Sequence, residues 1–154
     1  SKLKKIINIS KKKTYNLIHY NHIEFNEDNK KIIKKTTAHL ISSSNKKNLI
    51  SFLRKTSQKS VIFTAFDKNF ISKHKLSFNN GYHEDIFFLY KSLFYNKKKI
   101  KFVKDIVYKK YNHKYSITHT FSINHLKGMF LAWKNISLFS KIMDKGKMAI
   151  KSMF

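Results

Sequence analysis

Aromatic and β-branched residues crowd Tyr15 to Phe25 (YNLIHYNHIEF) and predict a strand. The polar Asn26-Glu-Asp-Asn29 reads as a turn, and Lys30 to Ile41 as a strand leading into a helix. Ser42-Ser-Ser-Asn45 is a cluster of capping residues. Lys46 to Lys55 then sets Leu49, Phe52 and Leu53 on one face, which predicts a short helix. The continuous apolar run Val61 to Phe66 has the length of a buried strand. Asp67 to Lys75 reads as a turn of helix with Phe70 and Ile71 inward, and Leu76 to Phe78 returns to the core. The clearest helix is Asp85 to Asn96, with Ile86, Leu89, Tyr90 and Leu93 at helical spacing. Acidic residues at its start and Lys97-Lys-Lys99 after its end both suit the helix dipole. Ile100 to Tyr108 predicts a strand, and Lys109 to Ser116 a polar, basic, aromatic loop. Ile123 to Ile142 predicts a long helix with Ile123, Leu126, Met129, Phe130, Trp133 and Ile136 as its core stripe. Ser1 to Lys13, with Ile6, Ile7 and Ile9, fits a strand cut short or a frayed start.

The order of elements implies an α/β fold: one domain over residues 1–120 and a C-terminal amphipathic helical segment over 121–154. At 154 residues and 42% apolar, the chain can bury a core. No repeat at solenoid periods is present.

The formal charge of +25 first points to nucleic acid or an anionic membrane. Its make-up weakens the nucleic-acid reading. Of the 33 basic residues only Arg54 is arginine, whereas base and phosphate readers favour the planar arginine fork. The wealth of Lys, Asn, Ile and Phe, with no proline, is what an AT-rich genome encodes, so much of the charge reflects coding bias. With no cysteine, disulfides and thiolate metal sites are excluded. No apolar run approaches the roughly 18 residues of a membrane span, and no secretory signal is read. The expectation is a cytoplasmic protein whose cationic terminal helix, with Lys127, Lys134, Lys141, Lys145, Lys147 and Lys151, either packs on the core or attaches peripherally to an anionic membrane.

Candidate chemistry centres on Phe78-Asn-Asn-Gly-Tyr-His-Glu-Asp-Ile-Phe-Phe-Leu-Tyr90. Gly81 breaks the pattern just before Glu84 and Asp85, so the two carboxylates lie where a loop becomes a helix. They either cap that helix or serve as a general base, Asp85 taking a proton while Glu84 orients it. The eight histidines form no zinc spacing. His19 and His22, three apart on a strand, are expected on opposite faces. His83, beside the acidic pair, and His113 stand out. The Tyr108 to Thr118 loop is either solvated or a phosphate contact through His113 and Lys114, with Ser116 and Thr118 as donors.

Four ordered blocks carry a resemblance: Val61-Ile-Phe-Thr-Ala-Phe-Asp-Lys-Asn-Phe-Ile71 with Lys75-Leu-Ser-Phe78; Gly81-Tyr-His-Glu-Asp-Ile-Phe87; Lys99-Ile-Lys-Phe-Val103; and Tyr111-Asn-His-Lys-Tyr-Ser-Ile-Thr118. From Val61 to Thr118 the chain resembles the second, acceptor-side half of bacterial family-2 glycosyltransferases, which build capsule, lipooligosaccharide and other surface polysaccharides. The resemblance implies a partial GT-A-type, Rossmann-like fold with a mixed sheet. It implies Asp85 as the catalytic base, supported by Glu84, in an inverting transfer from a nucleotide-sugar donor to a glycan acceptor. It places His83, His113, Lys114 and Ser116 near donor diphosphate or acceptor, and it brings in Mg²⁺ or Mn²⁺.

The chain departs from the family in two respects. The usual arginine of the last block is missing. So is the donor half, since neither Asp-Gly-Ser nor the Asp-x-Asp metal motif occurs. The resemblance therefore implies the acceptor-side part of such an enzyme, without its donor and metal site. The alternatives are a basic nucleic-acid-binding module and a non-catalytic remnant whose acidic pair only caps a helix.

Overall fold

Leu17 and Ile18 are adjacent, and both are buried. In a strand, neighbours point to opposite faces, so both faces of this strand must be covered. The computed structural model describes residues 2–26, 30–35, 45–53, 60–112 and 122–151 and shows how this is met. Strand β1 (Leu17–Asn26) is the centre of a mixed sheet. Leu17 enters a core built from helices α2 (Asn45–Leu53), α4 (Glu84–Tyr95) and α5 (Ile123–Lys151). Ile18 enters a smaller core on the other face, closed by Ile6 of helix α1 (Lys2–Lys11).

The sheet is three strands wide. β4 (Lys101–Asn112) pairs in parallel along one edge of β1, from Ile18 opposite Lys101 to Asn26 opposite Asn112. Bulges interrupt that pairing near Asn21. Two short strands share the other edge, both antiparallel. β3 (Thr64–Phe66) pairs with Leu17 to His19, and β2 (Ile32–Lys35) with Ile23 to Phe25. The fold is therefore mixed α/β.

Helix α4 buries Ile86, Phe88, Leu89, Tyr90 and Leu93. Each large apolar side chain so buried contributes roughly 1.5–3 kcal/mol. Phe52 of α2 and Ala132 and Ile136 of α5 pack against it, and the Tyr90 hydroxyl meets Ser140 Oγ at 2.8 Å. Asn96, fully buried, ends α4. Its N–H donates to the Ser92 carbonyl, its Nδ2 to the Lys98 carbonyl at 2.7 Å, and its Oδ1 accepts from Asn16 Nδ2 at 3.0 Å. One side chain thus turns α4 into β4 and fixes the start of β1. Helix α3 (Lys68–Lys73) starts at Asp67, whose carboxylate accepts from the Phe70 N–H at 2.8 Å.

Four elements differ from the sequence expectation. Residues 2–11 form a helix, not a strand or a frayed start, because Ile6 finds a pocket over Ile18 and Val103. Val61–Phe63 is a 3-10 turn, and only Thr64–Phe66 is strand. β4 runs on to Asn112, through residues expected in a loop. The core face of α5 is Ala132 and Ile136, with Trp133 and Phe139 beside them; Ile123, Leu126, Met129 and Phe130 of the expected stripe are exposed. The helix expected after β2 and most of the 42–45 capping cluster lie outside the described residues.

Two histidines are core residues. His22 stacks on Phe63 at 3.6 Å between ring centres and meets Glu24 at 3.1 Å. Burial opposes charge on Glu24, but hydrogen bonds from Asn112 and His22 and the charge of Lys110 outweigh it and hold its carboxyl below the ordinary range. His19 meets Thr64 Oγ1 at 2.8 Å and, with Leu17, Phe52, Leu89, Leu93 and Ile100, lines a cavity of about 20 Å³, room for about one water. Burial, with the neighbouring His22, lowers its pKa to about 4.

The unfolded chain takes up this proton near pH 6.5, and the folded chain only near pH 4. Between those values the unfolded state binds more protons, so stability falls as pH falls through the window. The full shift corresponds to about 3 kcal/mol. We expect urea melts of the parent chain to weaken steadily from pH 6.5 to pH 4, and those of His19→Asn to lose much of that slope. Equal slopes would show that His19 is not the group responsible.

Candidate functional site

Gly81 adopts φ 108° and His83 φ 61°, both left-handed. Glycine takes that conformation freely, and histidine tolerates it better than most residues. The two reverse the chain immediately before α4. His83 occupies the N-cap position but makes no side-chain capping bond. Glu84 and Asp85 are the first two helical residues, in the turn where the dipole favours negative charge. The acidic pair therefore stands inside the helix and not at its cap.

The two carboxylates differ. Glu84 is exposed and Asp85 half-buried. Asp85 accepts hydrogen bonds from the Ser60 hydroxyl and the Val61 N–H. It thereby ties the head of α4 to the 3-10 turn that leads into β3. Burial, reinforced by the charge of Glu84, outweighs those bonds and pushes its pKa above the usual aspartate value. Glu24 and Asp105 shift the opposite way.

Helix α5 braces the same turn. His125 Nδ1 lies 3.3 Å from His83 Nε2, and the His125 ring packs on Tyr82 at 4.6 Å between centres. Gly128 faces the backbone of Tyr82. A Cβ there would strike the Tyr82 carbonyl oxygen and come within 2.8 Å of its Cβ. Phe78 stacks on Phe88 at 4.4 Å and leaves half its surface in solvent. Phe78 and Tyr82, both exposed aromatics, lie in the segment that leads into α4.

Of the residues expected in the site, His83, Glu84 and Asp85 stand together. His113, Lys114 and Ser116, with the rest of the Tyr111 to Thr118 block beyond Asn112, lie outside the described residues. The His19 cavity is lined by none of the expected site residues. Ser60, Val61, His125 and Gly128 are the partners that sequence reasoning missed. Gly128 had a signal: a glycine inside an apolar helical pattern marks a close approach. The other three had none, because their roles come from tertiary proximity.

Among the described residues no three His, Asp or Glu side chains are grouped to hold a metal ion. Nor, among them, is any helix long and apolar enough to cross a membrane. No family model, curated protein or solved structure matches the chain.

Gly128→Ala should force α5 away from the Tyr82 turn. The obstacle is backbone, which gives little, so we expect a loss of about 1–3 kcal/mol in a thermal or urea melt. An unchanged melting curve would mean that α5 does not hold the turn from this side.

Proposed function

We propose that the chain forms the acceptor-side part of an inverting GT-A-type glycosyltransferase of surface-polysaccharide synthesis, with Asp85 as its base. One observation carries this reading: a helix-head aspartate whose proton affinity is raised. An acidic side chain that only complements a helix dipole is stabilised in its charged form and held low. Asp85 is instead made a stronger base, by burial and by Glu84. Perturbation of that sign favours proton abstraction from a sugar hydroxyl.

In the proposed reaction Asp85 takes the proton of the acceptor hydroxyl while that oxygen bonds to the anomeric carbon of the donor sugar. The bond from that carbon to the nucleoside diphosphate breaks, and the configuration inverts. Glu84 keeps Asp85 basic, and the exposed faces of Phe78 and Tyr82 offer the apolar surface on which sugar rings stack. Mg²⁺ or Mn²⁺ would meet the donor diphosphate of the intact enzyme. His113, Lys114 and Ser116 belong to the proposal as donor or acceptor contacts through the block that they share with the family.

A second reading rests on the hydrogen bonds from Ser60 and Val61. In it Asp85 only joins α4 to the 3-10 turn, and the chain is a non-catalytic remnant. The two readings separate in one pair of measurements. Glycan-array binding of the full chain should reveal a bacterial surface oligosaccharide, and Asp85→Asn should weaken it roughly ten- to a hundredfold, the loss of a charged hydrogen bond. The same variant should melt at or above the parent temperature at neutral pH, because the amide keeps an acceptor oxygen and removes a buried charge. Titration with UDP-sugars should show no micromolar affinity. Absence of glycan binding together with a clear drop in melting temperature would decide for the remnant.

A further inference from the structure

Helix α5 carries apolar residues on two sides, and the core uses only one. Ala132 and Ile136 are 4% and 5% exposed against α4. Around the opposite side stand Phe130 at 77%, Ile142 at 67% and Ile123 at 61%, with Leu126, Leu131 and Leu138 each close to half exposed. At 100° per residue these six fall on the outward half of the helix. Lys127, Lys134 and Lys141, spaced by seven, run as a stripe among them, and all three are exposed. From Ile123 to Met143 the helix contains no acidic residue. The face is about 28 Å long.

We infer that this outer face of α5 docks on an anionic lipid bilayer, lying flat in the headgroup layer. The inference is independent of the transferase reading: it uses neither Asp85 nor any sugar contact. The chemistry of the face selects the occupant. Six large apolar side chains need a hydrocarbon environment, which water does not give. Three lysines among them need negative charge, and their long stems let the ammonium groups reach lipid phosphates while the apolar neighbours go deeper. A second copy of the chain fails the charge condition, since it would bring lysine stripe against lysine stripe. Nucleic acid fails the apolar one: the face offers no arginine and one aromatic ring, where base stacking needs several.

The test is cosedimentation of the full chain with vesicles of pure phosphatidylcholine and with vesicles of equal parts phosphatidylcholine and phosphatidylglycerol, at one fixed salt concentration. Binding should favour the anionic vesicles by at least about tenfold. Phe130→Ser and Leu138→Ser should each weaken it roughly tenfold, and Lys134→Glu by a similar factor. Lys68→Glu, an equal charge change on the exposed start of α3, should leave it within about twofold. Because Phe130 and Leu138 protrude into solvent, both variants should keep the parent melting curve. The inference is overturned if Phe130→Ser and Leu138→Ser bind like the parent, or if Lys68→Glu weakens binding as much as Lys134→Glu. It is equally overturned if duplex DNA binds through Lys134 without Phe130, or if size exclusion shows a dimer that Phe130→Ser dissolves.

Discussion

Strand β1 has neighbours on both edges and cover on both faces, and everything else in the fold is placed by that constraint. A central strand must satisfy its N–H and C=O groups on two sides. β4 supplies one side along nearly the whole length, whereas β3 and β2 divide the other between them. Its alternate side chains need separate cores, which is why α1 and the α2–α4–α5 layer lie on opposite faces. The cost appears in its polar residues. His19 and His22 are buried on the same strand and are acceptable there only with partners, which Thr64 and Glu24 provide.

The acidic turn depends on this scaffold at one remove. β3 pairs with the first residues of β1, so the 3-10 turn before it arrives at a fixed place. Ser60 and Val61 then receive the Asp85 carboxylate. From the other side, α5 seats Gly128 on Tyr82 and His125 on His83. His83, left-handed without being glycine, is held between these supports. Such backbone persists only where its surroundings over-determine it, and here they come from two different elements.

Where local pattern and tertiary demand agree, the sequence is legible. α4 is amphipathic with charges suited to both ends, and it forms within a residue of its expected bounds. β1 and α3 follow their local signals in the same way. β4 departs from its local signal beyond Tyr108, because Lys109, Lys110 and Asn112 look like loop. What makes them strand is their pairing: Phe25 stacks on Tyr111 at 5.5 Å, and Glu24 takes Asn112 and Lys110. The α1 misreading has the same origin, since nothing near Ile6 in the sequence shows that Ile18 and Val103 await it. At the site, the sequence locates the acidic pair and its helix. It does not show that one carboxylate is half-buried and its neighbour exposed.

Helix α5 shows why the amount of lysine and its placement carry different information. Coding bias multiplies lysines without regard to position, so a charge of +25 says little about a partner. Bias alone would scatter them over solvent-facing positions. On α5 the core is already satisfied by Ala132, Trp133, Ile136 and Phe139, yet the outer face keeps Phe130, Leu138 and Ile142 in water beside a regular lysine stripe. Scattered single exposed apolar side chains are ordinary, but a contiguous set on one face marks a contact surface. The stripe of expected core residues therefore failed for a physical reason. Periodicity reports that a helix has an apolar face, and it cannot report whether the protein itself or something outside covers it.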